Sequence, residues 1–287
     1  MTRLRERIAH AFTAACLAEL DAPKPGNVHI FAAGHRMTAA QFARSADAAA
    51  PPLTAPGARV GRRIHDAVAA TIDAVGVNTN LGIILLCAPL AAAAESLSSD
   101  LRTALADVLN DLDVADADLA FNAIVRASPA GLGRVECNDV AAPARVTLKH
   151  AMADAAERDR VARQYVTSYA DIFEVGLPTL TAAAARGWEP QWSVLAVYLG
   201  FLASFPDSHV ARKHGAGVAA EVRQSAIAFN AALQSSREPA HLTDDLLAWD
   251  GDLKARNINP GTSADLTVAT VFAQHLATIL PSARNSG

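Results

Sequence analysis

The stretch PDSHVARKHGAG, residues 206–217, sets one carboxylate beside three basic side chains. Asp207 is of the type that ligates Mg²⁺ together with substrate phosphate oxygens, and Arg212, Lys213 and His214 can neutralise those phosphates. Gly215 and Gly217 suit close approach of a ligand to backbone. A solvated basic turn between two helices would use the same residues with no ligand at all.

Two further stretches bring small polar side chains to the start of a helix. GVNTNLG, residues 76–82, supplies Asn78, Thr79 and Asn80; NPGTSADL, residues 259–266, supplies Gly261, Thr262 and Ser263 and adds Asp265. The free N–H groups and the positive dipole end at a helix start favour an anion, and the same side chains serve equally as caps. In DAPKPGNVH, residues 21–29, two prolines flank Lys24 and are followed by Gly26 and Asn27. This composition stops a helix. Read for chemistry, it is a stiff loop that presents Lys24 and backbone N–H groups to an anion.

A weaker signal is His65-Asp66 in GRRIHDAV, two residues of the pattern found in helical metal-dependent phosphohydrolases; on a helix they also suit a solvated face. Glu136, Asp139 and Glu174 read as caps or surface charges. No Walker loop, GxSxG elbow or HExxH motif occurs, which removes the commonest kinase and hydrolase readings.

The elements that must position these loops are helices. Apolar spacing predicts helices over about 3–20, 38–49, 58–75, 80–97, 99–110, 113–127, 147–156, 159–174, 178–186, 190–204, 215–235, 241–254 and 263–280, with almost no strand pattern. Thr38 with Gln41 and Thr262 with Asp265 have capping-box spacing, and Ser98, Ser99 and Asp159 suit N-caps. The expected fold is all-α, a single domain spanning residues 1–287, since no polar linker or solenoid repeat divides the chain. The segment SPAGLGRVECNDVAAPARV is a loop of a length that tends to be functional or disordered.

Composition narrows the partners. The 287 residues are 51% hydrophobic and 19% charged, with a net charge of −4. An acidic balance disfavours nucleic acid and anionic membranes, whose phosphates demand a basic surface. The apolar runs 81–94 and 192–205 fall short of the roughly 20 residues that span a bilayer. Cys16, Cys87 and Cys137 are scattered and odd in number, as in a reducing compartment. The expectation is a cytoplasmic protein acting on small molecules, for which a homo-oligomer is allowed.

Taken in order, KPGNVH, GVNTNLG, PDSHVARKHG and NPGTSADL resemble the triphosphoribosyl-dephospho-CoA synthase family, over about residues 19–272. The resemblance implies an all-α pentosyltransferase that uses ATP with Mg²⁺: the 2′-hydroxyl of dephospho-CoA attacks the ribose anomeric carbon, and adenine leaves. Carried over by position, Lys24 and Gly26 match the family's Lys-Pro-Gly, and Gly34-His35 its Gly-Ala-His. Asn78 and Thr79, with Asn80 beside them, match its Val-Asn-Thr element. Asp207 matches an aspartate, and Gly261, Ser263 and Asp265 a Pro-Gly-Gly-Ser-Ala-Asp element. The implied roles are phosphate contacts for Lys24, Arg212 and Lys213; phosphate or ribose contacts for Asn78, Thr79, Gly261 and Ser263, with Thr262 and His35 beside them; and Mg²⁺ or ribosyl-cation contacts for Asp207 and Asp265. Asn80-Leu81-Gly82 stands where the family has His-Lys-Gly, and an Asp-Met-Asp segment is missing near Met37-Thr38-Ala39. These departures are similar to members linked to one-carbon metabolism, where a pterin-type precursor would be the acceptor. Two other readings stay open: a metal-dependent phosphohydrolase centred on His65 and Asp66, and a non-catalytic nucleotide-binding module.

Overall fold

A computed structural model describes residues 2–32, 37–96, 98, 100–128 and 139–280. The described residues form fourteen α-helices with a π-helical turn at Asp171–Gly176 and a 3₁₀ turn at Pro239–Leu242, and no strand beyond an isolated bridge between His29 and Ala32. The fold is all-α. The chain groups into two compact units that interleave along the sequence: Met1–Ala15, Ala43–Tyr169 and Phe272–Gly287 form the first, and Cys16–Phe42 and Ala170–Val271 the second. Because each unit is discontinuous, no linker in the sequence announces the division.

The first unit contains most of α1 (Thr2–Asp21) and α2 (Ala39–Leu53), then α3 (Val60–Val75), α4 (Leu81–Ala94), α5 (Leu101–Asn110), α6 (Val114–Ala127), α7 (Leu148–Ala155), α8 (Arg160–Thr167) and the end of α14 (Gly261–Ile279). Helices α3 and α6 meet where Gly61 lets backbones touch: a Cβ there would lie 2.5 Å from Asp116 Cα. Buried Asp116 accepts from Gly61 N at 2.8 Å, which caps an α3 whose own N-cap residue, Arg59, makes no side-chain capping bond. The capping box expected at Thr38 and Gln41 is present in both directions, and Asp159 caps α8. Asp100, rather than Ser98, caps α5; Ser99 lies outside the described residues.

Helix α4 is buried nearly all round and contains Pro89. Proline has no N–H and leaves the carbonyl four residues back without its helical donor. That carbonyl belongs to Leu85, and Tyr165 Oη donates to it at 2.7 Å; Tyr169 Oη donates to the next, Leu86, at 2.9 Å. Both phenols are fully buried, and burial pushes each well above its ordinary value, so each stays a donor. To reach Leu86, Tyr169 takes φ +60°, following Ser168 at +48°. The helix expected over 159–174 therefore breaks at Thr167. Tyr165→Phe leaves Leu85 O buried without a donor, and the expected outcome is a loss of about 1–3 kcal/mol, read as a lower guanidinium midpoint with native helix content.

The second unit holds α9 (Leu177–Ala185), α10 (Pro190–Ser204), α11 (Ser208–His214), α12 (Ala216–Ser235), α13 (Thr243–Ala255) and the start of α14. Helix α10 supplies its centre, with Trp192 to Leu199 all buried, and it packs on α9 and α12. Helix α11, absent from the sequence expectation, is a single short piece capped by Asp207.

Candidate functional site

The loop after α1 is built from Lys24 outward. Lys24 is 0% exposed. Its ammonium donates to Glu19 O at 2.7 Å and Val28 O at 2.8 Å, and pairs with Glu19 Oε1 at 3.1 Å. An ammonium has three donors, and all three are engaged inside the protein. Burial pulls Lys24 down and pushes Glu19 up, while their contact holds both toward the charged form. In this arrangement Lys24 closes its own loop, and the phosphate role expected for it would require the ammonium to leave a buried carboxylate.

Above it, Gly26 takes φ +80°, and a Cβ there would lie 2.8 Å from Pro260 Cδ and 3.0 Å from Ile258 O. Its glycine identity is thus demanded by both conformation and space. Gly26 N donates to Asp250 Oδ1 at 2.8 Å, Tyr198 Oη to Pro25 O at 2.7 Å, and Asn27 Nδ2 to Asn259 Oδ1 at 2.8 Å. Lys254, one turn beyond Asp250 on α13, donates to Asp250 Oδ2 at 2.8 Å and Ala32 O at 3.2 Å. His29 Nε2 lies 3.3 Å from both Asp250 Oδ2 and Lys254 Nζ. Burial pushes Asp250 up, but hydrogen bonds from His29, Lys254 and Gly26 N bring it below the ordinary carboxylate value. Burial pulls His29 down.

A second cluster joins α11 to α14. Asp207 is 0% exposed: Oδ1 accepts from His209 N at 2.9 Å and Val210 N at 3.1 Å, and Oδ2 from Ser263 N and Ser263 Oγ, each at 2.8 Å. Burial pushes its carboxyl up against the pull of those four donors. The expected Mg²⁺ role does not fit this carboxylate, whose oxygens are each doubly occupied. Thr262, expected to cap α14, instead places Oγ1 3.0 Å from Ser208 Oγ and accepts from His209 N at 3.2 Å. At Gly261 a Cβ would lie 3.1 Å from His209 Nδ1. Asp265, one turn into α14, is half-buried.

The basic end of α11 reaches the same turn. Lys213 Nζ donates to Asn257 O at 3.3 Å, and His214 Nε2 lies 3.0 Å from that oxygen; Arg212 is half-buried beside them. Three cationic or titratable groups suit the negative end of a helix. The turn Asn257–Gly261 is therefore a hub in the second unit, touched by the 24–29 loop and by both ends of α11.

Asn78, Thr79 and Asn80 belong to the first unit, where Asn78 caps the start of α4 and the other two turn to Ser45. Asn78 Oδ1 accepts from Leu81 N at 3.1 Å; Thr79 Oγ1 donates to Ser45 Oγ at 2.6 Å, and buried Asn80 reaches Ser45 O at 3.5 Å. His35, Glu136 and Cys137 lie outside the described residues. His65 pairs with Asp66 at 2.8 Å on a partly exposed face of α3 that Asp66 shares with Arg62. Among the described residues no three His, Cys, Asp or Glu side chains gather as a metal site.

Sequence reasoning missed Glu19, His29, Asp250 and Lys254. Asp250 and Lys254 look like an ordinary exposed i,i+4 pair. The signal that could have found them is the stripe Leu246, Asp250, Leu253, which puts a carboxylate on the core face of α13.

The described residues form an all-α architecture whose polar loops are tied around one turn, and the family match identifies the class as a pentosyl-type transferase. A profile of the family of ATP:dephospho-CoA triphosphoribosyl transferases, the CitG family, matches residues 5–283, and the chain belongs to that family. No curated protein matches the sequence. A crystal structure from Archaeoglobus fulgidus, assigned as a triphosphoribosyl-dephospho-CoA synthase, is similar in fold, with 24% identity and a TM-score of 0.60 over 80% of this chain and 95% of that one.

Proposed function

We propose that this protein transfers the triphosphoribosyl group of ATP to the 2′-hydroxyl of dephospho-CoA. The C1′–N9 bond of ATP breaks and a C1′–O bond to the acceptor forms. The hydroxyl proton balances the adenine that leaves, and the triphosphate stays on the moved ribose. The observation that carries this reading is the family match over residues 5–283. Glycosyl transfer passes through a cationic ribose, so the centre asks for anionic or lone-pair groups near C1′ and cations near the phosphates. Asp265 and the basic end of α11 are partly exposed and carry the charges those tasks ask for. Mg²⁺ is written as part of the substrate, MgATP, since Asp207 does not fit as its ligand and Mg²⁺ takes much of its coordination from phosphates and water.

A second acceptor is favoured by one observation: Leu81, which starts α4, stands where a lysine of the family pattern would add a cation, and it is 9% exposed. A less phosphorylated, pterin-type acceptor matches that loss. No single helix among the described residues is long and apolar enough to cross a membrane. ATP use together with the buried thiols of Cys16 and Cys87, which form no disulfide, supports a cytoplasmic setting; a homo-oligomer stays within this reading. Incubation with MgATP and dephospho-CoA is expected to release free adenine. Adenine only with a pterin precursor would select the second acceptor, and ADP in place of adenine would sink both.

A further inference from the structure

The segment HIFA, residues 29–32, makes a tight turn closed by a two-way backbone pair: His29 N donates to Ala32 O at 3.4 Å and Ala32 N to His29 O at 3.2 Å. Tips of such turns normally carry Gly, Asn, Asp or Ser, because these residues tolerate the geometry and solvent. Here the tip is Ile30-Phe31, and each side chain is 56% exposed, the most exposed large apolar residues among those described. The tip is not loose. Ile30 N donates to Leu20 O at 3.0 Å, and Ala32 O accepts from Lys254 Nζ. Among the described residues nothing in the local fold asks for an aromatic ring there.

Beside that ring lies a second anomaly. His29 is 1% exposed, its ring centroid is 5.9 Å from that of Phe31, and among the described residues its Nδ1 has no hydrogen-bond partner. Buried polar atoms are almost always paired, so an orphan asks for an explanation. Lys254 and Asp250 both crowd Nε2. An ammonium only donates, so with Lys254 bonded to Nε2 the ring proton sits on Nδ1; with Nε2–H turned to Asp250, Nδ1 becomes an acceptor. Either way the free valence is at Nδ1, and the lowered His29 basicity agrees with a neutral ring.

We propose that Phe31 and His29 form an adenine subsite, in which the base stacks on Phe31 and its edge meets His29 Nδ1. An adenine edge pairs acceptor ring nitrogens with an amino donor, so it satisfies either tautomer, and every base offers a face to an aromatic ring. The exposed pair is far smaller than the roughly 800 Å² per partner of a stable protein interface, which favours a small flat ligand. The subsite requires Phe31, whose ring centroid lies 5.9 Å from that of His29, to rotate and open the path to Nδ1. The subsite rests on the reading of ATP and dephospho-CoA as substrates, and both carry adenine.

The test uses the full chain. Phe31→Ala should fold normally, because the side chain is exposed, and Phe31→Trp should keep the stacking surface. Equilibrium binding is measured with four probes: ATP, inorganic tripolyphosphate, dephospho-CoA and 4′-phosphopantetheine, the second and fourth lacking the base. Loss of one stacked base weakens affinity on the order of ten-fold or more. Weakening of ATP alone assigns the donor's adenine, and weakening of dephospho-CoA alone the acceptor's. In both cases the base-free probe is unchanged and Phe31→Trp restores binding. Equal binding of all four probes to wild type and Phe31→Ala overturns the subsite, as does equal weakening of the base-free probes. Adenine release by wild type is followed in parallel, so that loss of the subsite with turnover intact, and absence of turnover with base-dependent binding intact, are separate results.

Discussion

Lys24→Ala is expected to lose about 3–5 kcal/mol of stability, the range seen when one partner of a buried ion pair is removed. Three bonds disappear together, to Glu19 O, Val28 O and Glu19 Oε1. Glu19 is left 3% exposed with no cation against it. Against a whole-domain stability of about 5–15 kcal/mol, that loss is large. It should appear as a melting temperature lower by about 10 °C at this chain size. The double variant Glu19→Leu/Lys24→Met removes both charges and should recover a good part of the loss, since an apolar pair of similar volume replaces two desolvated ions without leaving either alone. A phosphate-binding lysine predicts the reverse pattern: a normal melting curve, weakened MgATP binding, and no rescue by a change at Glu19. A Lys24→Ala protein that melts like wild type overturns the structural assignment.

This contrast shows how much of the molecule the sequence exposes. Helices were legible because burying one face leaves a period of 3.6 in the chain, and twelve of the expected segments correspond to α1–α7, α9, α10 and α12–α14. The failures have tertiary causes. Nothing near Ser168 says that the helix must stop so that Tyr169 can reach Leu86 O, 83 residues away. Helix α11 has only seven residues, too few for a periodic signal. The four polar loops stood out by composition, but the partners of their charges did not. Gly26 N meets Asp250 across 224 residues, and Asp207 meets Ser263 across 56. A charged residue in a loop reads as a ligand contact until its partner is seen, and for Lys24 and Asp207 the partner was inside the protein.

The same reasoning decides what Asp207 does. Its carboxylate receives three backbone N–H groups and one hydroxyl, from the start of α11 and from Ser263 in α14. Asp207→Ala strands all four donors in a fully buried place. Each unmet donor alone costs about 1–3 kcal/mol, yet the sum overshoots, because a water entering the vacated volume would satisfy some of them. The expected net loss is about 3–5 kcal/mol, in the range reserved for broken buried networks. Helix α11 should open first, since seven residues cannot hold helix without tertiary contacts, and the amides of His209 and Val210 should lose hydrogen-exchange protection ahead of α10. Asp207→Asn keeps the volume and one acceptor oxygen but turns an N–H₂ toward donors, so it should fall between wild type and alanine. A metal ligand would behave differently: both variants would keep the wild-type melting temperature and exchange pattern and raise only the Mg²⁺ requirement of adenine release. Unchanged exchange at His209 and Val210 in Asp207→Ala would therefore return Asp207 to the metal and remove it from the α11–α14 junction.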